Sequence, residues 1–158
     1  MTSPYSIYSA DISVIAQLLI DKLNGHAGAF VIPLTGVVYG DQNLVPSTPY
    51  VTVEPDTKTR ELAGAPNMTE NTFQIFITVL ITKVSDTLVT RKQADQLAYD
   101  IEKYIHGDLQ LTNGGPTPAL IHGYVTENTS GVVIKGNTKY QAARLTFTGK
   151  NKTSLATT

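Results

Sequence analysis

The stretch Thr72–Lys83 constrains the fold of this chain more than any other. Phe73, Ile75, Ile77, Val79 and Ile81 recur at every second position, which places all five on one face of a β-strand. Phe76 and Leu80 add apolar groups to the opposite face. A strand that is apolar on both sides belongs in the middle of a sheet, with neighbours on both edges.

Two helical stripes are available to cover it. Asp11 is placed to cap a helix in which Ile12, Ile15, Ala16, Leu19 and Leu23 share one face, and Gly25, aided by Asn24, is expected to end it. Ser85 or Asp86 is placed to cap a second helix running to His106. Ala94, Leu97, Ala98, Ile101, Tyr104 and Ile105 form its buried stripe, and Arg91, Lys92, Asp95, Asp100, Glu102 and Lys103 lie outside.

The remaining strands are shorter signals. Thr35–Tyr39 reads as a strand closed by Gly40-Asp41, and Tyr50–Glu54 as another, with Val51 and Val53 on one face. Residues 25–49 otherwise read as irregular, with Phe30, Val31 and Ile32 tucked inward. The run from Pro55 to Asn71 has no apolar face and contains Gly64 and Pro66, so an exposed loop or a protruding hairpin is expected. Ala119–Asn128 reads as a strand, Ser130-Gly131 as a reversal into Val132–Lys135, and Gly136-Asn137 as a turn into a last strand, Tyr140–Gly149. In that strand Ala143, Leu145 and Phe147 face inward and Arg144, Thr146 and Thr148 outward. Residues 150–158 are polar and read as a mobile tail.

The order is helix, two or three strands, helix, three strands. It predicts an α+β fold, a mixed or antiparallel sheet with both helices packed on one face, in a single domain over residues 1–158.

Composition narrows the function. Only 16% of the 158 residues are charged and the net charge is −1, which lacks the one-signed field that a phosphate backbone demands. A charge-poor surface suits one that other chains cover, since charges are depleted at interface centres. The chain has no cysteine, which excludes disulfides and thiolate chemistry. Met1–Ala10 lacks the basic and apolar regions of a signal peptide, and no apolar run approaches the ~20 residues that span a bilayer. Synthesis in a cytoplasm is the expectation.

No catalytic or cofactor pattern stands out. His26, His106 and His122 are too far apart in sequence for a metal spacing, and His106 stands at a helix carboxyl end, where a cation is favoured. No serine sits in a Gly-x-Ser-x-Gly elbow, and the glycines form neither a phosphate loop nor a dinucleotide fingerprint. Glu54, Asp56, Glu61 and Glu70 cluster in sequence around the 55–71 run, and a pair of them could act as acid and base in a small hydrolase. Lys58 and Arg60 interleave with them, as expected of a solvated segment.

The succession Asp11-Ile-Ser-Val-Ile-Ala-Gln-Leu-Leu, Tyr50-Val-Thr-Val-Glu, Phe73-Gln-Ile-Phe-Ile-Thr-Val, Arg91-Lys-Gln-Ala-Asp-Gln-Leu-Ala-Tyr-Asp-Ile and Tyr140-Gln-Ala-Ala-Arg-Leu-Thr-Phe resembles the tail terminator, or tail-completion, proteins of tailed bacteriophages. The likeness lies in element order and residue style over most of the chain; residues 25–49 do not map onto it. It implies a virion protein without enzymatic activity or cofactor, forming a ring, typically a hexamer, that stops growth of the tail tube. The partners it implies are the tail tube protein and a neck or head-completion protein, with DNA passing through the lumen. Another neck, head-completion or baseplate protein is the nearest alternative.

A ring contact is heterologous, and strand edges are ready donors of such contact. Thr72–Lys83 or Tyr140–Gly149 is expected to extend a sheet between subunits. Arg60, Glu61 and Arg144 are candidate interface residues, because charges on a loop and on a polar strand face can set register.

Overall fold

The computed structural model describes residues 11–40, 44–62, 68–84, 91–113, 115 and 118–154. The elements are α1 (Ile12–His26), β1 (Gly36–Tyr39), β2 (Tyr50–Leu62), β3 (Met68–Lys83), α2 (Arg91–His106), β4 (His122–Lys135) and β5 (Thr138–Ser154). The five strands make one sheet in the order β1-β2-β3-β5-β4. β1 joins β2 in parallel and the other three pairings are antiparallel. The fold is α+β with a mixed sheet, as the element order predicts.

The alternation in β3 does what its period requires. Phe73, Ile75, Ile77, Val79 and Ile81 are buried in one cluster with Ile15, Leu19 and Leu23 of α1 and Leu97, Ile101 and Ile105 of α2. Val51 and Val53 of β2 and Ala143, Leu145 and Phe147 of β5 belong to the same cluster. Both helices therefore lie on one face. Each fully buried aliphatic or aromatic side chain contributes about 1.5–3 kcal/mol from leaving water, so this layer supplies most of the driving force. Leu80 and Tyr50 point the other way, into a small cluster with Tyr140 and Ala142.

Gly123 shows how tightly the β4 end is packed. A Cβ there would sit 2.4 Å from Cζ of Phe147 and 2.7 Å from Cδ1 of Leu120, closer than any van der Waals contact, so only glycine lets β4 approach the core at that point.

Several boundaries differ from the sequence reading. The run from Pro55 takes the hairpin option: β2 continues to Leu62 and β3 begins at Met68, and the two pair along that length. A bulge at Pro55/Thr57 absorbs the proline, whose missing N–H is tolerated at such a site. β4 runs unbroken through Ser130-Gly131, because Gly131 is held opposite Ala142 of β5 and an edge strand tolerates one glycine. Two strands, not three, therefore follow α2. Residues 119–121 are not strand; the N–H groups of Ala119 and Leu120 donate to Gln110 O.

Lys150–Ser154 is part of β5, paired with Met68–Thr72; residues 155–158 of the expected tail lie outside the described residues, as do Ser85 and Asp86. α1 continues through Gly25 to His26 and ends in a 3-10 turn, Ala27–Ala29. Asp11 stands at its N-cap position without a side-chain cap bond, since its carboxylate is taken by Lys58 at 2.7 Å. Val31 is exposed rather than tucked inward.

Candidate assembly surfaces

β1 covers only Tyr50–Val53 of β2, so from Glu54 onward β2 has no strand on its outer side among the described residues. β4 begins opposite Lys150, so β5 beyond that point is equally uncovered. The distal part of the sheet is thus an arm three strands wide: the end of β2, the start of β3 and the end of β5. The rest, under the helices, is the body.

The arm is polar. Lys58 ties its base to the start of α1 through Asp11, with the ammonium also 5.5 Å from the Phe73 ring centre. That hydrogen bond, with help from the Ile12 N–H, holds the Asp11 carboxyl below its ordinary value. Asn71 Nδ2 donates to Asn151 Oδ1 at 2.8 Å, and both residues are buried. Glu61 and Glu70 face each other across β2 and β3, an unfavourable pair that Lys150 relieves from β5 with a 3.3 Å contact to Glu70.

On the body, the sheet face away from the helices carries Arg144 near its centre. Its guanidinium lies over the Phe76 ring at 3.5 Å, a stacked position that keeps the planar fork free of rotamer disorder. Thr78 stands directly opposite Arg144 on β3 and Thr129 opposite it on β4. Together with Glu54 and Lys135 they line a groove of about 360 Å³. The groove thus combines one arginine over a ring, threonines and flanking opposite charges.

The helices are joined at a second groove. His26 stacks on Tyr104 with centroids 4.1 Å apart, and Phe30 meets both rings edge-on. Lys22 lies 4.7 Å above Tyr104 and 3.7 Å from Asp108. Burial pushes the Asp108 carboxyl up, but N–H donation from Thr112 and Asn113, the Thr112 hydroxyl and Lys22 outweigh it and leave it below its ordinary value. These bonds fasten the turn after α2, and Asn113 Nδ2 closes the link to α1 by donating to Leu18 O.

The candidate residues do not converge. Arg60 and Glu61, as neighbours in one strand, point to opposite faces of the arm, and Arg144 lies on the body. Of the acids, Glu61 and Glu70 meet as a cross-strand pair on the arm, whereas Glu54 and Glu61 are seven residues apart on one strand, roughly 23 Å, and Asp56 is the bulged residue between them. Of these acids only Glu54 lines the open-face groove. Among the described residues no group of three His, Asp or Glu side chains could hold a metal ion.

The expected edge donors are also corrected. β3 and β5 are interior strands over the stretches expected to donate edges; among the described residues the open edges belong to the end strands β1 and β4, to the outer part of β2 and to the end of β5. His106 stands in the last turn of α2, and its Nε2 accepts the Val125 N–H at 3.0 Å. It satisfies the backbone at the β4 bulge between Val125 and Glu127.

Sequence reasoning passed over three exposed apolar residues near the β4 edge, Tyr99, Val132 and Ile134. The uncharged run from Asn128 to Ile134 was the sequence signal for Val132 and Ile134. No model of a known protein family matches this chain, and no curated protein matches it.

Proposed function

We propose that this chain is a structural virion protein that assembles into a ring at the head-proximal end of a bacteriophage tail, ends growth of the tail tube and joins the tail to the neck. The observation that carries the reading is the division of the sheet into a helix-covered body and a polar, three-stranded arm with uncovered edges. A head-to-tail ring needs two different patches on each subunit that fit one another, and an arm set apart from a body face that carries no helix among the described residues offers two. The order of elements along the sequence supports the same assignment. In this reading the tail tube protein and a neck or head-completion protein are the partners, and the ring encloses a lumen through which DNA passes.

The test is the mass of the purified chain over a range of concentrations, alone and with tail tubes, with electron microscopy of any large species. Closed rings of about six subunits, free or capping tube ends, are expected. A chain that stays monomeric in both conditions overturns the proposal.

A further inference from the structure

We propose that the outer edge of β4 docks β4 of a second copy, the two strands pairing antiparallel about a two-fold axis at Gly131 so that both sheets become continuous. The open edge of β4 and the outer edge of β2 beyond Val53 are built differently. The outer part of β2 carries Pro55, a bulge, Asp56, Lys58, Arg60 and Glu61, the devices that keep an edge from pairing. β4 has no charged residue from Asn128 to Ile134, and no described strand covers it.

The backbone is disposed for pairing. Gly136 and Asn137 both have positive φ, 52° and 70°, and form the two-residue turn between β4 and β5, so Lys135 and Thr138 are a hydrogen-bonded pair. Counting back along the unbroken register, the main-chain groups of Asn128, Ser130, Val132 and Ile134 point away from β5, toward the open edge.

The sequence of the strand is complementary to itself. A two-fold axis at Gly131 sets Ser130 opposite Val132, Asn128 opposite Ile134, and Glu127 opposite Lys135, each twice. Glu127 and Lys135 are the charged residues that bracket the neutral run, and at non-hydrogen-bonded positions their side chains are close enough to pair. A shift of register by two residues loses that match.

The apolar groups also fall into place. Val132 and Ile134 are opposite Gln141 and Lys139, on the helix side of the sheet, and are 58% and 63% exposed. Asp95 and Glu102 of α2 reach β4 through Ser130 and Asn128. Tyr99 lies on the same helical stripe and is 57% exposed. A second β4 would bring the two Val132 side chains into diagonal contact beneath the Tyr99 rings. This two-fold contact closes on itself and is distinct from the head-to-tail contact of a ring, so neither inference rests on the other.

The natural chain has no cysteine, and a Cβ at Gly131 meets no atom within 4 Å. Gly131→Cys therefore places one thiol next to its symmetry mate at a spacing that suits a disulfide. Mild oxidation is expected to convert this variant to a covalent dimer, while Thr59→Cys on the guarded β2 edge stays monomeric. Sedimentation is expected to show that Glu127→Lys and Lys135→Glu each weaken dimerisation about tenfold or more, and that the double exchange restores it. Equal crosslinking of the two cysteine variants, or failure of the double exchange to restore pairing, overturns the proposal. Rings that persist in Glu127→Lys would leave the ring reading intact.

Discussion

The body and the arm are built from the same strands and stabilised by different means. In the body, β3 and β5 carry Ile75, Ile77, Leu145 and Phe147 under two helices, all at 1% exposure or less. A few residues further along, the same strands carry Asn71 and Asn151 hydrogen-bonded to each other, and Glu70 held by Lys150. The β3–β5 ladder runs unbroken from one region to the other, so along these two strands the change lies in the side chains. The body is held by apolar burial, which is large and non-directional. The arm is held by main-chain pairing and polar contacts, which are individually small.

Substitutions in the two regions sharpen this contrast. The largest effect is expected in the body, where Ile77→Ala removes a fully buried side chain from the middle of the core and should cost about 2–5 kcal/mol, read from the urea midpoint. An effect of a few tenths would mean that the body is not the stabilising region.

Asp108→Asn is intermediate. It removes the charge that receives Thr112, Asn113 and Lys22 and should cost about 1–2 kcal/mol at neutral pH. Because the folded-state pKa is lowered from its ordinary value of 3.8, the charge contributes in full above that value, and its contribution is lost as pH falls through the folded-state value. The natural chain should therefore lose stability on acidification below about pH 4 through this group, and Asp108→Asn should lack that component; acid titrations of both proteins check it.

The smallest effect is expected in the arm. Glu61→Ala relieves the pair with Glu70 and should change stability by no more than about 0.5 kcal/mol, toward the stabilising side. A large loss would show that the arm's charges hold the fold.

The same contrast explains what was legible in the sequence. Elements of the body could be read because burial imposes a period: the two of β3, and the helical stripes of α1 and α2. The hairpin part of the arm was open to two readings, because Pro55–Asn71 carries no apolar alternation and its strands exist through pairing with neighbours. Ser130-Gly131 read as a turn on local composition, yet hydrogen bonding to β5 keeps it extended. Arg144 could be placed on the outward face, but its stacking on Phe76 depends on the β3–β5 register. Lys22, His26, Tyr104 and Asp108 come from parts of the chain far apart in sequence, so nothing local signalled their cluster.

The sequence by itself determined the class of the fold, the central strand, the two helices and the face each buries, because hydrophobic periodicity is a local property that survives any arrangement of the elements. Only the tertiary structure decided how far the strands run, which of them lie at the edges, and which charges meet. Those outcomes depend on pairing between residues that the chain brings together from a distance, and the free energy of a cross-strand ladder belongs to the pair rather than to either segment.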